Sequence, residues 1–256
     1  GYSPNSPDVK MVEQCEMKSW PRCDAIIAVD KGQANILIEQ GAEPSRLHII
    51  FNSVDVAMVE RIARKLMISN RSDRPWVLVP RRLTPKCGVE YAIRAIRLMR
   101  SKPLLILAGG GLQEQRLREL AKEEGVESEV VFLGEVPQSV LFPLIQAANC
   151  VLIPSVPVHG IEEATSISAL ESLALGRPVV ASALGGLLEI IQDRCTGILV
   201  KPGDHAEIAS VLDSLISNSE LSNQLGENGR LRVVNDFSVK QWFDKIQAVY
   251  REVLSN

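Results

Sequence analysis

The chain has 256 residues, 46% hydrophobic and 23% charged, with 28 Lys and Arg against 31 Asp and Glu for a formal charge of −3. That is enough apolar material for a sizeable core, and it excludes a chain disordered by composition. A slight acidic excess with only three Trp, three Tyr and five Phe offers neither the basic surface nor the base-stacking platform of a nucleic-acid binder.

The opening GYSPNSPDVK is polar and Pro-rich and reads as an untethered lead-in or a cut end. From there the chain alternates short aliphatic runs with helical patterns. The runs predict strands at Ala25–Val29, His48–Phe51, Trp76–Pro80, Leu104–Ala108, Val130–Leu133, Cys150–Ile153, Pro178–Ala181 and Gly197–Val200. Helices are predicted near 32–40, 55–69, 88–101, 112–124, 138–148, 166–175 and 186–192. Such alternation argues for βαβ units and a doubly wound parallel α/β sheet. The strands are apolar throughout, as strands covered on both faces should be.

From Asp204 the pattern is helical only. Asp204 with Glu207, and Ser238 with Gln241, have capping-box spacing. Trp242, Phe243, Ile246, Val249, Tyr250 and Val253 recur at helical spacing in the last helix and read as a packing stripe. The polar stretch Ser69–Pro75 marks a boundary. Six strands follow it, and two precede it, too few for an independent sheet. Residues 1–70 are therefore expected to be a domain tail and connector, and 71–256 a complete ligand-binding domain.

Five widely spaced cysteines without a CxxC fit a reducing compartment, and three scattered histidines give no metal cluster. No apolar run reaches the roughly 18 residues that span a bilayer, and no signal peptide opens the chain. A cytoplasmic protein without a metal is the expectation.

In doubly wound sheets, ligands bind beyond the carboxyl ends of the strands. The loop VPRRLTPKCGVE places Arg81, Arg82 and Lys86 there, beside a helix start, as a diphosphate site would require; a merely solvated basic loop is the plainer reading. Gly109–Gly111 allows close backbone approach, but Glu114 stands where a dinucleotide fingerprint needs its third glycine, so a tight turn is the simpler role. In VPVHGIEEATSISALESLALG, Glu163 and Glu171 are eight positions apart, about 12 Å along a helix, and cannot act on one atom. The amides of Thr165, Ser166 and Ile167 lie in a first helical turn and favour an anion. Glu171 falls on an apolar stripe and needs strong donors, which a ribose diol would supply; a solvated or Arg-paired Glu171, and a helix-stabilising Glu163, are the plain alternatives. His159 and Glu162 read as loop surface. Gly185-Gly186 permits a tight turn and close ligand approach. FLGEVPQ has the position of a base-binding edge. Arg94 and Arg97 look like a solvated helix face rather than a membrane patch.

The ordered series RRLTPKCGVEYAIRA, VFLGEV, EATSISALE, GRPVVAS, GGLLE and TGILVKPGD resembles the retaining glycosyltransferases of group 1 (family 4), which have the GT-B fold of two facing Rossmann-like domains. The resemblance spans 75–256. CDAIIAVDKGQANILIEQGAEPSRLHIIFNSVD resembles the end of that family's N-terminal domain. The resemblance implies that Arg82 and Lys86 bind a donor diphosphate and that Glu163 approaches the donor sugar. It implies that Glu171 holds the ribose, that Ser166 and Ile167 contact phosphate or sugar with Thr165 beside them, and that backbone near Val136 meets the base. Three features depart from the family pattern. Arg81 replaces a glycine, Cys87 stands where the lysine is usual with Lys86 one place earlier, and Ala164-Thr165-Ser166 replaces Gly-Phe-Gly.

A retaining sugar transfer from a nucleotide-diphosphate donor to a hydroxyl acceptor is thus expected, with no cofactor and no metal. The acceptor-binding N-terminal domain is the implied partner, no nucleic acid is expected, and a peripheral membrane contact is left open. A nucleotide-sugar-binding module without turnover, and a sugar-nucleotide epimerase of the same fold, are the alternatives.

Overall fold

A computed structural model describes residues 7–66, 68, 74–160 and 162–255, with residues 7–10 and 13 described by backbone alone. The start of the polar lead-in, and residues 69–73 of the expected boundary, lie outside that description. The described residues form two compact units, one from those before Ser53 together with those after Val239, the other within Ser53–Val239.

The smaller unit opens with α1 (Pro7–Ser19), β1 (Ile26–Ala28), α2 (Lys31–Glu39) and β2 (Leu47–Ile49). β1 and β2 pair in parallel. Asp30 caps α2 by accepting from the Gln33 amide at 2.7 Å.

The larger unit begins with α3 (Val56–Ala63), β3 (Trp76–Val79), α4 (Val89–Leu98), β4 (Leu104–Ala108) and α5 (Glu114–Glu123). It continues through β5 (Val130–Gly134), α6 (Gln138–Ala147), β6 (Cys150–Ile153) and α7 (Ile167–Ala174). It ends with β7 (Val179–Ser182), α8 (Leu187–Ile190), β8 (Ile198–Val200), α9 (His205–Ser217) and α10 (Ser219–Asp236). The predicted doubly wound α/β sheet is present. Six parallel strands run in the order β5-β4-β3-β6-β7-β8. β6 and β7 are buried at every residue, because aliphatic side chains on both faces are covered by helices. The chain steps outward from β3 to β5, then returns to lay β6 against the other side of β3. A crevice opens at that switch point, above the carboxyl ends of the strands.

α3 belongs to this unit ahead of the expected boundary: its Glu60 pairs with Arg230 of α10. The ends of the unit meet where the Val54 amide donates to the Phe237 carbonyl at 2.9 Å. α4 buries Val89, Ala92, Ile93 and Ile96, while Arg94 and Arg97 reach Glu124 at 3.7 and 2.9 Å. The arginine face is thus half-exposed and bridged to the end of α5. Asp213 of α9 caps the turn after α4, accepting from the Arg100 and Ser101 amides at 2.8 and 3.1 Å and from the Ser101 hydroxyl at 2.6 Å. Asp213→Ala should lower unfolding stability by about 1–2 kcal/mol through loss of those bonds; urea unfolding with an unchanged midpoint would contradict this.

Two expectations need correction. Asp204 does cap α9 through the Glu207 amide at 2.9 Å, but the Glu207 carboxylate takes the Lys201 amide at 2.7 Å instead of completing the reciprocal box. The Asp204 amide is already given to the Lys201 carbonyl. α11 (Val239–Ser255), which returns to the smaller unit, does not bury its apolar stripe. Val249 alone is buried, whereas Phe243 and Tyr250 are 54% and 64% exposed. The six positions fall within about 120° of the helix surface and form one face, which the described residues leave mostly uncovered.

Candidate active site

The loop after β3 turns on Leu83, whose amide donates to the Gly110 carbonyl and whose carbonyl accepts from the Gln113 amide. This holds the basic loop against the glycine-rich loop after β4. A Cβ on Gly109 or Gly111 would lie 2.1 or 2.4 Å from the carbonyl oxygens of Arg81 and Leu83. Gly109 and Gly111 therefore serve backbone-on-backbone packing, the role expected of a tight turn, whereas a Cβ on Gly110 would meet the Glu135 side chain at 2.9 Å.

These loops, with those after β5 and β6, enclose a cleft of about 690 Å³ at the switch point. Arg82, Lys86, Val136, Glu163, Thr165 and Ile167 all line it. These six positions, widely separated in the chain, meet because β3, β4, β5 and β6 are adjacent and parallel. Arg82 and Lys86 are exposed, and their side chains make no hydrogen bond or ion pair among the described residues. Two cations free of internal partners stand where an anion could be gripped.

Arg81 behaves differently from its neighbour. The sequence groups it with the other cations of the loop, but it turns inward and pairs with Glu163 at 2.7 Å, with the two side chains 9% and 10% exposed. Its guanidinium also donates to Ser155 and Ser166 hydroxyls at 3.2 and 3.3 Å. Burial works against the charged guanidinium, but the hydrogen bond and charge of Glu163 outweigh it, and the Arg81 pKa stands above the ordinary arginine value.

Glu163 is also held through its backbone. Its carbonyl accepts from the Gly186 amide at 2.8 Å, and the Glu162 carboxylate accepts from the Gly185 amide at 3.0 Å. Glu162 is exposed, as expected of loop surface, and its carboxylate also tethers the two loops. The close approach permitted by Gly185-Gly186 is made by the Glu163 loop itself, which fills the space expected for a ligand. No sequence signal marks the partners of Arg81 or Glu162, since both act through residues some 80 and 20 positions away.

α7 starts at this cleft. Ser166 is its N-terminal flanking residue and is buried. Ser166 does not line the cleft; its hydroxyl faces Arg81. The Ser168 hydroxyl donates to the Pro80 carbonyl at 2.9 Å, which ties α7 to the end of β3. Glu171 sits one turn beyond Ile167 and Ser168 and is 8% exposed. It is not among the cleft-lining residues, and its side chain has no hydrogen-bond or ion-pair partner among the described residues. Burial pushes its carboxyl up to about 7.

No group of three or more His, Cys, Asp or Glu that could hold a metal lies among the described residues. The five cysteines are free thiols. No helix of the described residues is long and apolar enough to cross a membrane.

Comparison with known proteins places this chain in a family. Residues 63–232 match the family described as glycosyl transferases group 1. The chain is 30% identical over 246 residues to an uncharacterised glycosyltransferase of Methanocaldococcus jannaschii, covering 93% of this chain and 61% of that protein. It is 30% identical over 256 residues to the D-inositol 3-phosphate glycosyltransferase of Acidothermus cellulolyticus, covering 91% of this chain and 55% of that protein. The chain therefore spans little more than half the length of these relatives. Among solved structures, Anabaena HepE in complex with UDP aligns with a TM-score of 0.83 at 20% identity, over 97% of this chain and 70% of that one. The sucrose-phosphate synthase of Thermosynechococcus elongatus aligns with a TM-score of 0.81 at 24% identity, over 98% and 64%. At such identity these likenesses speak for the fold, which is that of GT-B glycosyltransferases. With the family match covering well over half of its residues, the chain belongs to the group 1 glycosyltransferases.

Proposed function

We propose that this chain binds the nucleotide-diphosphate sugar of a retaining glycosyl transfer to a hydroxyl acceptor, with the cleft above β3 and β6 as the donor site. The observation that carries this reading is the meeting of Arg82, Lys86, Glu163, Thr165 and Ile167 on one wall system. Arg82 and Lys86 are assigned to the diphosphate, Glu163 to the sugar, Glu171 to the ribose and the Val136 backbone to the base. The amides at the start of α7, with Ser166 shaping that turn, are assigned to phosphate or sugar. The UDP held by HepE makes uridine nucleotides the first probes.

In the transfer, the acceptor oxygen bonds to the anomeric carbon as its bond to the diphosphate oxygen breaks. Negative charge grows on the leaving diphosphate. Arg82, Lys86 and the amides at the start of α7 would stabilise that charge more than the ground state, which is what accelerates the step. The acceptor's proton passes to the departing phosphate oxygen on the same face, so the anomeric configuration is retained. Glu163, committed to Arg81, is assigned to orienting the sugar and not to attack. Charge neutralisation by Arg82 and Lys86 is read as sufficient without a metal, so transfer should persist in EDTA; its abolition there would sink that part.

Lys86→Ala should weaken UDP binding about tenfold and uridine binding less than about twofold, because one charged hydrogen bond to phosphate is worth roughly 1.5–3 kcal/mol. Equal losses for both ligands by calorimetry would remove Lys86 from the diphosphate site. Sugar transfer from UDP-glucose by this 256-residue chain would defeat the alternative of a binding module without turnover.

A further inference from the structure

Arg81 stands where the resembling family has glycine, and it is the most enclosed cation of the cleft. Its two terminal nitrogens serve the Glu163 carboxylate and the Ser155 and Ser166 hydroxyls. Its Nε is buried with no partner among the described residues, a loss that a side chain placed only for packing would not incur. A buried ion pair returns little net stability after desolvation. What the pair does determine is location. Glu163 lies in the connection between β6 and α7, where an unheld carboxylate would sample several rotamers. The Gly186 amide pins its carbonyl and Arg81 pins the other end.

We propose that Arg81 is a positioning residue: it fixes the Glu163 carboxylate as a partnered anion at the cleft wall, so that Glu163 can accept from the donor sugar without repelling the diphosphate. This rests on the donor-site reading above. Arg82 and Lys86, free of internal partners among the described residues, then remain for the diphosphate, and Arg81 takes no part in gripping it. The division of labour follows from burial and pairing: Arg82 and Lys86 are exposed and unengaged among the described residues, whereas Arg81, though it also lines the cleft, has its terminal nitrogens engaged by Glu163, Ser155 and Ser166.

The test is calorimetry with UDP and UDP-glucose on the wild-type chain, Arg81→Met, Arg81→Lys, Glu163→Gln and the Arg81→Met/Glu163→Gln double variant. Arg81→Met should weaken UDP-glucose about tenfold and UDP by less than about twofold, and should add nothing to Glu163→Gln, because coupled residues do not act additively. Arg81→Lys keeps one buried cation and should recover part of the loss; if Arg81→Met does not fold, a loss of about threefold for UDP-glucose alone in Arg81→Lys carries the same information. Equal weakening of both ligands, or losses that add to those of Glu163→Gln, would overturn the proposal. A ligand-free readout separates it from the donor-site reading. Slowly exchanging Arg81 guanidinium protons in nitrogen-15 NMR are expected in the wild type and should be lost in Glu163→Gln. Their absence from the wild type overturns the positioning role. Their presence in a chain that binds neither UDP nor UDP-glucose overturns the donor reading alone.

Discussion

Glu171→Gln should stabilise the unliganded chain by about 2–3 kcal/mol at pH 8 and by nearly nothing at pH 4. Burial holds the Glu171 carboxyl at about 7 against an ordinary value of 4.5, so the folded chain keeps a proton that the unfolded chain has released. The stability this group contributes is fully present below about 4.5 and is lost as pH rises through about 7. Above that, the wild type must bury an unpartnered anion, which the amide avoids. Binding should move in the opposite sense. Two ribose hydroxyls donating to the carboxylate would favour its charged form and replace the missing partners. UDP binding at a pH of roughly 6.5 should therefore release a proton, and affinity should rise between about pH 5.5 and 7.5. Glu171→Gln should flatten that rise and weaken UDP by about 1.5–3 kcal/mol, the worth of a bond to a charged group. Urea unfolding at the two pH values, and calorimetry in buffers of different ionisation heat, measure both halves. A variant with the wild-type pH slope in each would refute the assignment of Glu171 to the ribose.

Gly185→Ala should abolish UDP-glucose binding and destabilise the chain by about 2–4 kcal/mol, far more than an exposed glycine-to-alanine change elsewhere. Gly185 has φ of +47°, and a Cβ there would lie 2.1 Å from the Glu163 carbonyl oxygen. The obstacle is backbone, so no side chain can swing away. Relief requires the Glu163 segment to shift, and with it the Arg81 pair, the Glu162 tether and the first turn of α7. Gly125→Ala is the control. Gly125 also has a positive φ, +69°, but a Cβ there would meet nothing within 4 Å. It should lose only the conformational contribution of about 1 kcal/mol and leave UDP-glucose binding intact. Equal effects of the two substitutions on binding would show that the Gly185 contact does not shape the cleft.

The strands are legible because each is a short aliphatic run bounded by turn residues, and a parallel sheet buries such runs on both faces. Cys150–Ile153 is the clearest case, predicted and found over the same residues. That Arg82, Lys86, Glu163, Thr165, Ile167 and Val136 lie at one cleft is legible for a related reason: they stand in loops that follow strands, or at the helix start next to one, and those loops share one edge of the sheet. The reading is weaker wherever a side chain has a distant partner. Arg81 and Arg82 are adjacent, chemically identical and both on the cleft, yet one is enclosed by Glu163, Ser155 and Ser166 and the other is exposed. The capping spacing of Asp204 and Glu207 cannot reveal that the Lys201 amide competes for the Glu207 carboxylate.

Composition, periodicity and turn chemistry are local properties, so the amino-acid order alone determined the doubly wound class, the strand positions and the basic and acidic loops. Which cation meets a ligand, which carboxylate loses its water and what fills the space beside Gly185 depend on contacts between segments tens of residues apart. Charge and burial act through distance in space, and only the packed chain sets that distance.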